Sequence, residues 1–171
     1  MLRAVIFDFG GVFTSSPVSN FADYEEANGL PHRFIGHVIA SKQNSGAFSR
    51  FERAEITVDE FDELFAAETR EAGHEITGRK LIDMMQMTFR PDMIAALDAV
   101  NAGGFLSGCI TNNMPKGAAT EWARSEADRS TVSDIMAKFT HVIESAEAGV
   151  RKPEPRIYEM MCEALGVETS E

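Results

Sequence analysis

Three short runs of strand-forming residues, separated by stretches with helical spacing, constrain the fold of this chain more than any other feature. They span residues 3–9, 105–111 and 139–145. A nearly continuous apolar run, as in the first two, is typical of a strand buried on both faces of a parallel sheet. Strands that alternate with helices imply right-handed crossovers. The sequence therefore predicts an α/β fold with a Rossmann-like, doubly wound parallel sheet.

Residues 17–89 show helical spacing and no strand-like alternation. One predicted helix carries four apolar residues on a single face: Phe34, Ile35, Val38 and Ile39. Thr57 and Glu60 form a capping box, which marks the start of another helix. This second helix carries Val58, Phe61, Leu64 and Phe65 on one face. We therefore expect a helical domain at residues 17–89, inserted into a core formed by residues 1–16 and 90–171.

Further helices are predicted around the second and third strands. Pro91 begins a helix that ends at Gly103 and directs four residues inward: Met93, Ile94, Leu97 and Val100. A polar helical stretch is expected around residues 122–138. The last helix spans residues 154–165, and four of its residues share one face: Ile157, Tyr158, Met161 and Leu165. These helices would cover the sheet.

Composition and charge exclude several classes of protein. The chain has 171 residues, 44% of them hydrophobic and 25% charged, which is typical of a globular domain and not of a disordered chain. A net charge of −11 argues against partners such as nucleic acid or an anionic membrane surface. Two cysteines are too few for a disulfide framework, and no apolar stretch approaches the roughly 20 residues of a membrane span. The first run begins too early for a signal peptide, so we expect a cytoplasmic protein.

Polar residues follow the predicted strands where ligands of parallel sheets bind, beyond the carboxyl ends of the strands. Asp8 could act there as a nucleophile, or it could simply form a turn. Thr111 could hydrogen-bond an oxyanion, although such residues are also common in strand-to-helix turns. Lys152 is either a fixed charge at the same edge or an ordinary surface lysine. Each residue alone leaves both interpretations open.

Together, these three residues and their neighbours resemble a known family. Asp8 lies in Ile-Phe-Asp-Phe-Gly-Gly-Val, Thr111 in Cys-Ile-Thr-Asn-Asn and Lys152 in Gly-Val-Arg-Lys-Pro-Glu-Pro-Arg-Ile-Tyr. These segments resemble motifs I, II and III of the haloacid dehalogenase-like (HAD) hydrolase superfamily, in the same order along nearly the whole chain. The helical insert looks like the small helical cap of that superfamily. Residues 51–57 and 143–158 are most similar to the amino-terminal phosphatase domain of soluble epoxide hydrolases.

The resemblance implies a Mg²⁺-dependent phosphatase that acts on a small phosphorylated metabolite. Asp8 would attack phosphorus to form an aspartyl phosphate, which water then hydrolyses. Thr111 would hold phosphoryl oxygens, and Lys152 would neutralise charge on the nucleophile and on the transferring group. Mg²⁺ would bind the Asp8 carboxylate and the backbone carbonyl of Gly10, because this ion prefers oxygen ligands and retained water.

Four further residues are candidates for binding the phosphate group. Gly10 and Gly11 lack side chains, so their backbone N–H groups could approach an anion closely. Asn112 and Asn113 supply backbone N–H groups and side-chain amides beside Thr111.

The chain departs from the family pattern in two places. Gly10 stands where the family's phosphatases usually carry a second aspartate, the general acid and base, which predicts slow turnover of alkyl phosphates. Haloacid dehalogenases also lack this aspartate, so a dehalogenase is an alternative. The chain ends at Glu171, before the expected position of the acidic fourth motif. The resemblance thus implies a fragment, which is the favoured interpretation, or a member that is weakly catalytic or non-catalytic. The unpaired edge of the first strand further predicts a homodimer through that edge.

Overall fold

A three-stranded parallel sheet of order β1-β2-β3 forms the centre of the α/β part of the molecule. The computed structural model describes residues 2–113 and 126–171. The strands are β1 (Ala4–Phe7), β2 (Leu106–Thr111) and β3 (His141–Glu144). Their register places Phe7 opposite Cys109, and Thr111 opposite Glu144. The three carboxyl ends therefore meet at one edge of the sheet, and the predicted parallel, Rossmann-like arrangement is confirmed.

Helices occupy the positions between and after the strands. Within residues 2–113 and 126–171 they are α1 (Val18–Ala27), α2 (Phe34–Ser41), α3 (Ala47–Glu52), α4 (Val58–Glu71), α5 (Gly78–Met84), α6 (Pro91–Ala102), α7 (Glu126–Met136), α8 (Ser145–Ala148) and α9 (Pro155–Leu165). The helix predicted around residues 122–138 corresponds to α7, and its first residues lie outside the described part of the chain. None of the helices described is long and apolar enough to cross a membrane.

Helices pack on both faces of the sheet, which confirms the doubly wound arrangement. On one face, Cys109 of β2 packs in a cluster with Leu97 of α6 and Ile135 of α7. On the other face, the next residue, Ile110, packs in a cluster with residues of α9. Successive residues of β2 thus enter different hydrophobic clusters, because neighbouring side chains of a strand point to opposite faces of the sheet.

Several apolar side chains of the predicted strands and helix faces are exposed, among them Ile6 of β1, which is 41% exposed although the first run predicts a strand buried on both faces. Leu64 of α4 is 37% exposed and Tyr158 of α9 is 41% exposed. Each lies at the margin of its helix's apolar face, one residue away from a fully buried neighbour, Phe65 or Ile157. Phe105 is 38% exposed because β2 begins only at the following residue. The predicted burial of strand residues was therefore wrong at Ile6 and Phe105, while Leu64 and Tyr158 show that spacing indicates a face but not its width.

The helices α1–α5 share a hydrophobic cluster whose buried residues all lie between positions 21 and 84. Phe51 and Phe61 stack at its centre, with ring centroids 4.3 Å apart. In the helix face predicted at α2, Phe34, Ile35 and Val38 are buried and Ile39 is partly buried. The boundaries of an inserted domain at residues 17–89 stay a prediction.

The capping box predicted at the start of α4 is confirmed. The Thr57 N–H donates to Glu60 Oε2 at 2.8 Å, and the Glu60 N–H donates to Thr57 Oγ1 at 3.2 Å. The Thr57 N–H and the Thr57 hydroxyl both donate to Glu60 Oε2, and these two hydrogen bonds lower the pKa of Glu60. The box satisfies backbone donors that a helix N-terminus otherwise leaves without partners.

The two segments that join the helical part to the sheet run side by side. Thr14 and Phe89 form an antiparallel bridge, and the Arg90 N–H donates to the Phe13 carbonyl at 2.8 Å. The chain therefore leaves the sheet after β1 and returns before α6 at nearly the same place, close to the carboxyl end of β1.

Candidate active site

Asp8 and Lys152 meet at the carboxyl edge of the sheet, although 144 positions in sequence separate them. Lys152 Nζ lies 2.5 Å from Asp8 Oδ1 and also donates to the Ile110 carbonyl at 2.8 Å. The Phe9 N–H donates to the same carboxylate oxygen at 2.7 Å. The Asp8 side chain remains 48% exposed and that of Lys152 only 17%. A fixed cation thus adjoins a carboxylate that a substrate can reach.

Asn112 holds the backbone of Lys152 through its side-chain amide. The Lys152 N–H donates to Asn112 Oδ1 at 2.8 Å, and Asn112 Nδ2 donates to the Lys152 carbonyl at 3.1 Å. This paired contact joins the loop after β2 to the loop that carries the lysine. The sequence pattern suggested only a phosphate-binding role for Asn112, because a contact between these two loops leaves no local signal.

Asn113 joins the end of β2 to the start of α8. Its N–H donates to Ser145 Oγ at 3.0 Å, and its Nδ2 donates to Glu144 Oε1 at 2.7 Å. The Ala146 N–H donates to Asn113 Oδ1 at 3.2 Å. The groups expected to bind phosphate are therefore engaged within the protein in this structure, and the predicted role of Asn113 stays a prediction.

The two glycines after Asp8 differ in their surroundings. A Cβ placed on Gly10 would meet no heavy atom within 4 Å. Gly11 has a φ of +79°, and its N–H donates to Thr14 Oγ1 at 3.3 Å. The left-handed backbone at Gly11 favours glycine and turns the chain beside the site. Gly10 thus borders open space, whereas the Gly11 N–H already has an acceptor.

A pocket of about 210 Å³ lies beside these residues. Its polar wall contains Gly10, Thr111, Asn112, Asn113 and Glu144, with Thr111 only 6% exposed. Phe9, Pro17, two methionines of the segment after α5 and two residues of α7 supply apolar surface. Predicted site residues therefore line a cavity bounded by both the sheet edge and the helical part.

The donors expected for Mg²⁺ are the Asp8 carboxylate and the Gly10 carbonyl. Within residues 2–113 and 126–171, no group of three or more His, Cys, Asp or Glu side chains is placed to hold a metal ion. In the same residues, Asp8 Oδ2 accepts no hydrogen bond, whereas Oδ1 accepts the Phe9 N–H and forms the ion pair with Lys152. Two oxygen donors and open space beside Gly10 fit an ion that binds through few protein ligands and keeps most of its water.

A buried ion pair that no sequence pattern predicted lies next to the loop that carries Lys152 (the lysine loop). Arg151 Nη2 is 2.6 Å from Glu52 Oε2, and both residues are less than 10% exposed. Burial raises the pKa of Glu52 against the opposing effect of the Arg151 charge. Glu52 stands within a segment that resembles the phosphatase family, but nothing in the local pattern indicates a partner 99 positions away.

Cys109 lies beneath the site in β2 and is fully buried. Burial raises the pKa of its thiol to about 12. The group is therefore a neutral thiol at physiological pH and a residue of the hydrophobic core.

Comparison with known proteins identifies a family and several relatives. The family model described as "Hydrolase: haloacid dehalogenase-like hydrolase" matches residues 2–171. Acyl-CoA dehydrogenase family member 10 of Mus musculus is 30% identical over 99% of this chain, which corresponds to 15% of that protein. Bifunctional epoxide hydrolase 2 of Sus scrofa is 25% identical, again over 99% of this chain and 32% of its own length. The chain thus spans less than a third of either relative.

A smaller relative is similar to this chain in sequence, and two solved structures are similar to it in fold. Phosphatase MT3486 of Mycobacterium tuberculosis is 28% identical over 99% of this chain and 76% of its own length. A HAD family enzyme of Bacteroides thetaiotaomicron, solved with magnesium and inorganic phosphate, has a TM-score of 0.58 at 17% identity. L-2-haloacid dehalogenase of Xanthobacter autotrophicus has a TM-score of 0.56 at 23% identity. Each match includes 98% of this chain and covers 80% of the Bacteroides enzyme and 66% of the dehalogenase. At such identities the two structures show the fold alone.

Proposed function

Because this chain belongs to the haloacid dehalogenase-like hydrolase family, we propose that it is a magnesium-dependent phosphatase. Its substrate would be a small phosphorylated metabolite, and Asp8 would carry the phosphoryl group during turnover. The observation that carries the proposal is the contact of 2.5 Å between Lys152 Nζ and Asp8 Oδ1 beside a pocket lined by Thr111 and Asn112. The similarity to Phosphatase MT3486 and to the bifunctional epoxide hydrolases supports it.

The reaction has two steps at the same carboxylate. An oxygen of Asp8 forms a bond to phosphorus while the bond to the leaving-group oxygen breaks. Water then attacks the phosphorus of the aspartyl phosphate, which releases inorganic phosphate and restores the carboxylate. Because phosphoryl transfer depends mainly on positioning and charge stabilisation, a fixed ammonium group beside the nucleophile is well suited to it.

Thr111 and the backbone of Asn112 would orient the phosphoryl oxygens. Thr111 ends β2, is 6% exposed and lines the pocket, so its side chain lies at the pocket wall. Mg²⁺ bound through the Asp8 carboxylate and the Gly10 carbonyl would supply additional positive charge against the phosphate. The helical part, which supplies methionines and Pro17 to the pocket, would act as a cap that controls access.

Gly10 has a consequence for substrate preference. Glycine cannot donate a proton to the departing oxygen, and general acid–base help is typically worth about 10²–10⁴-fold in rate. The enzyme should therefore prefer substrates with weakly basic leaving groups, such as aryl or acyl phosphates, over alkyl phosphates.

The proposal is tested by measuring phosphate release, with and without Mg²⁺, from a panel of aryl, acyl and alkyl phosphates. We expect activity that needs Mg²⁺ and that falls at least about 10³-fold in Asp8→Asn, which lacks the nucleophile. Asp23→Asn removes an exposed carboxylate of α1 and should retain full activity.

Two results would contradict the proposal. One is the absence of phosphate release from the whole panel with Mg²⁺ present. The other is metal-independent release of halide from 2-haloacids that depends on Asp8, which would identify the chain as a dehalogenase. Both enzyme types are represented among similar proteins, so the assay measures halide and phosphate in parallel.

A further inference from the structure

We propose that Glu52 is a positioning residue, which holds Lys152 against Asp8 through Arg151. Glu52 ends α3 in the helical part, whereas the other three residues belong to loops at the sheet edge. The catalytic meaning of this inference rests on the proposed function. The placement of Lys152 itself can be measured without any activity.

The contact between Glu52 and Arg151 is close and buried. Both Nε and Nη2 of Arg151 lie 2.6 Å from Glu52 Oε2, and the two side chains are 8% and 10% exposed. The third nitrogen of the guanidinium group, Nη1, donates to the Gln43 carbonyl at 3.0 Å. The planar guanidinium is therefore fixed by two separate segments of the helical part.

A second contact fixes the backbone of Glu52 to the core. Ser145 Oγ donates to the Glu52 carbonyl at 2.7 Å and accepts the N–H of Asn113. Glu52 is thus held through its side chain by the loop after α8 and through its carbonyl by the start of α8. Both attachments involve neighbours of predicted site residues, since Arg151 precedes Lys152 in the sequence and Ser145 accepts the Asn113 N–H.

Arg151 immediately precedes Lys152, so its position limits where the lysine can lie. The Lys152 backbone is held on its other side by the amide of Asn112. Between these two anchors, Lys152 Nζ reaches Asp8 Oδ1 and the Ile110 carbonyl at once. Removal of the Glu52 charge would leave a buried, uncompensated guanidinium, which would move towards water and carry the lysine loop with it.

The test uses Glu52→Gln, which keeps the shape of the side chain and removes its charge. The matched control is Glu55→Gln, since Glu55 also pairs with an arginine, Arg53 at 2.6 Å, but is 44% exposed. The first measurement is competitive acylation of the folded protein, with mass spectrometry of each of the five lysines. Lys152 is only 17% exposed, so it should react slowly in the wild type and several-fold faster in Glu52→Gln. Its reactivity in Glu55→Gln should match the wild type.

The second measurement is the rate of hydrolysis of p-nitrophenyl phosphate with Mg²⁺. A displaced lysine should lower kcat by about 10-fold to 100-fold and alter KM less, because positioning errors of about 1 Å can cost 10²-fold. If the wild type hydrolyses no phosphate ester, the proposed function fails, while the acylation result still decides the placement of Lys152.

Wild-type Lys152 reactivity in folded Glu52→Gln would overturn the inference. Should that variant not fold, Glu52→Leu combined with Arg151→Met removes both charges and avoids a buried unpaired ion. The double variant lacks the side-chain contacts of residue 151 with the helical part, so Lys152 should again react several-fold faster than in the wild type. A folded double variant with wild-type Lys152 reactivity would overturn the inference equally.

Discussion

The ammonium group of Lys152 contacts a carboxylate and a backbone carbonyl on adjacent strands. Asp8 follows β1, and Ile110 is the penultimate residue of β2. The carbonyl contact of 2.8 Å holds the ammonium group at the sheet edge independently of Asp8. Under the proposed function, Lys152 would therefore neutralise charge on the transferring group without a change in its own position.

Gly10 allows a gain-of-function test at the same edge. Because a Cβ there would meet no atom within 4 Å, Gly10→Asp should be accommodated and should place a proton donor beside the site. We expect turnover of alkyl phosphates to rise by about 10²-fold, the lower end of what general acid–base catalysis contributes. Steady-state kinetics would measure this. Gly10→Asn is the control of equal size without proton transfer, and an equal gain in that variant would contradict the explanation.

Close approach between elements decides how the helical part packs. Gly78 begins α5, and a Cβ on it would lie 2.7 Å from the Phe61 carbonyl oxygen and 2.8 Å from the Asp62 Cα. The backbones of α4 and α5 therefore touch at this point. Glycine is needed here for space, since side-chain movement cannot relieve a contact with backbone atoms.

Gly78→Ala should lower the free energy of unfolding by about 1–3 kcal/mol, a typical cost of overpacking. Gly36→Ala is the matched control, because Gly36 lies in α2, is exposed, and a Cβ on it would meet no heavy atom within 4 Å. This control should gain about 0.5–1 kcal/mol from its better helix propensity. Urea denaturation measures both variants, and a loss of equal size in the two would show that the contact with α4 is not the cause.

The pocket of the candidate site is lined by residues of two hydrophobic clusters, Met85 from the cluster of the helical part and Phe9, Val132 and Met136 from one cluster of the sheet. Pocket residues come from the sheet edge, from the segment after α5 and from α7. A ligand there contacts parts of the molecule that have separate cores. Binding should therefore stabilise the whole fold and not only the loops that touch the ligand.

Mg²⁺ with beryllofluoride, which forms an acyl-phosphate analogue on an aspartate, provides a test at this scale. At about 100 times its Kd, a ligand adds about 2.7 kcal/mol to stability, which corresponds to a Tm rise of roughly 5–10 °C for a chain of this size. Thermal unfolding should show this rise in the wild type with both components together. Asp8→Asn should show no rise, and a similar increase in that variant would place the ligand elsewhere.

The parallel sheet, its flanking helices and the capping box of α4 follow from the sequence, because each depends on spacing within one short segment. The meeting of Asp8 and Lys152 follows as well, since parallel strands bring their carboxyl ends to one edge. The exposure of Leu64 and Tyr158 does not follow, because the width of a buried face depends on which elements pack against it.

The sequence alone thus determined where the strands lie and which residue types follow their ends. It did so through local periodicity and the geometry of parallel sheets. The tertiary structure alone decided that Asn112 holds the backbone of Lys152 and that Glu52 pairs with Arg151. These contacts join residues 40 and 99 positions apart. They depend on how separately formed elements are oriented, and local sequence carries no record of that orientation.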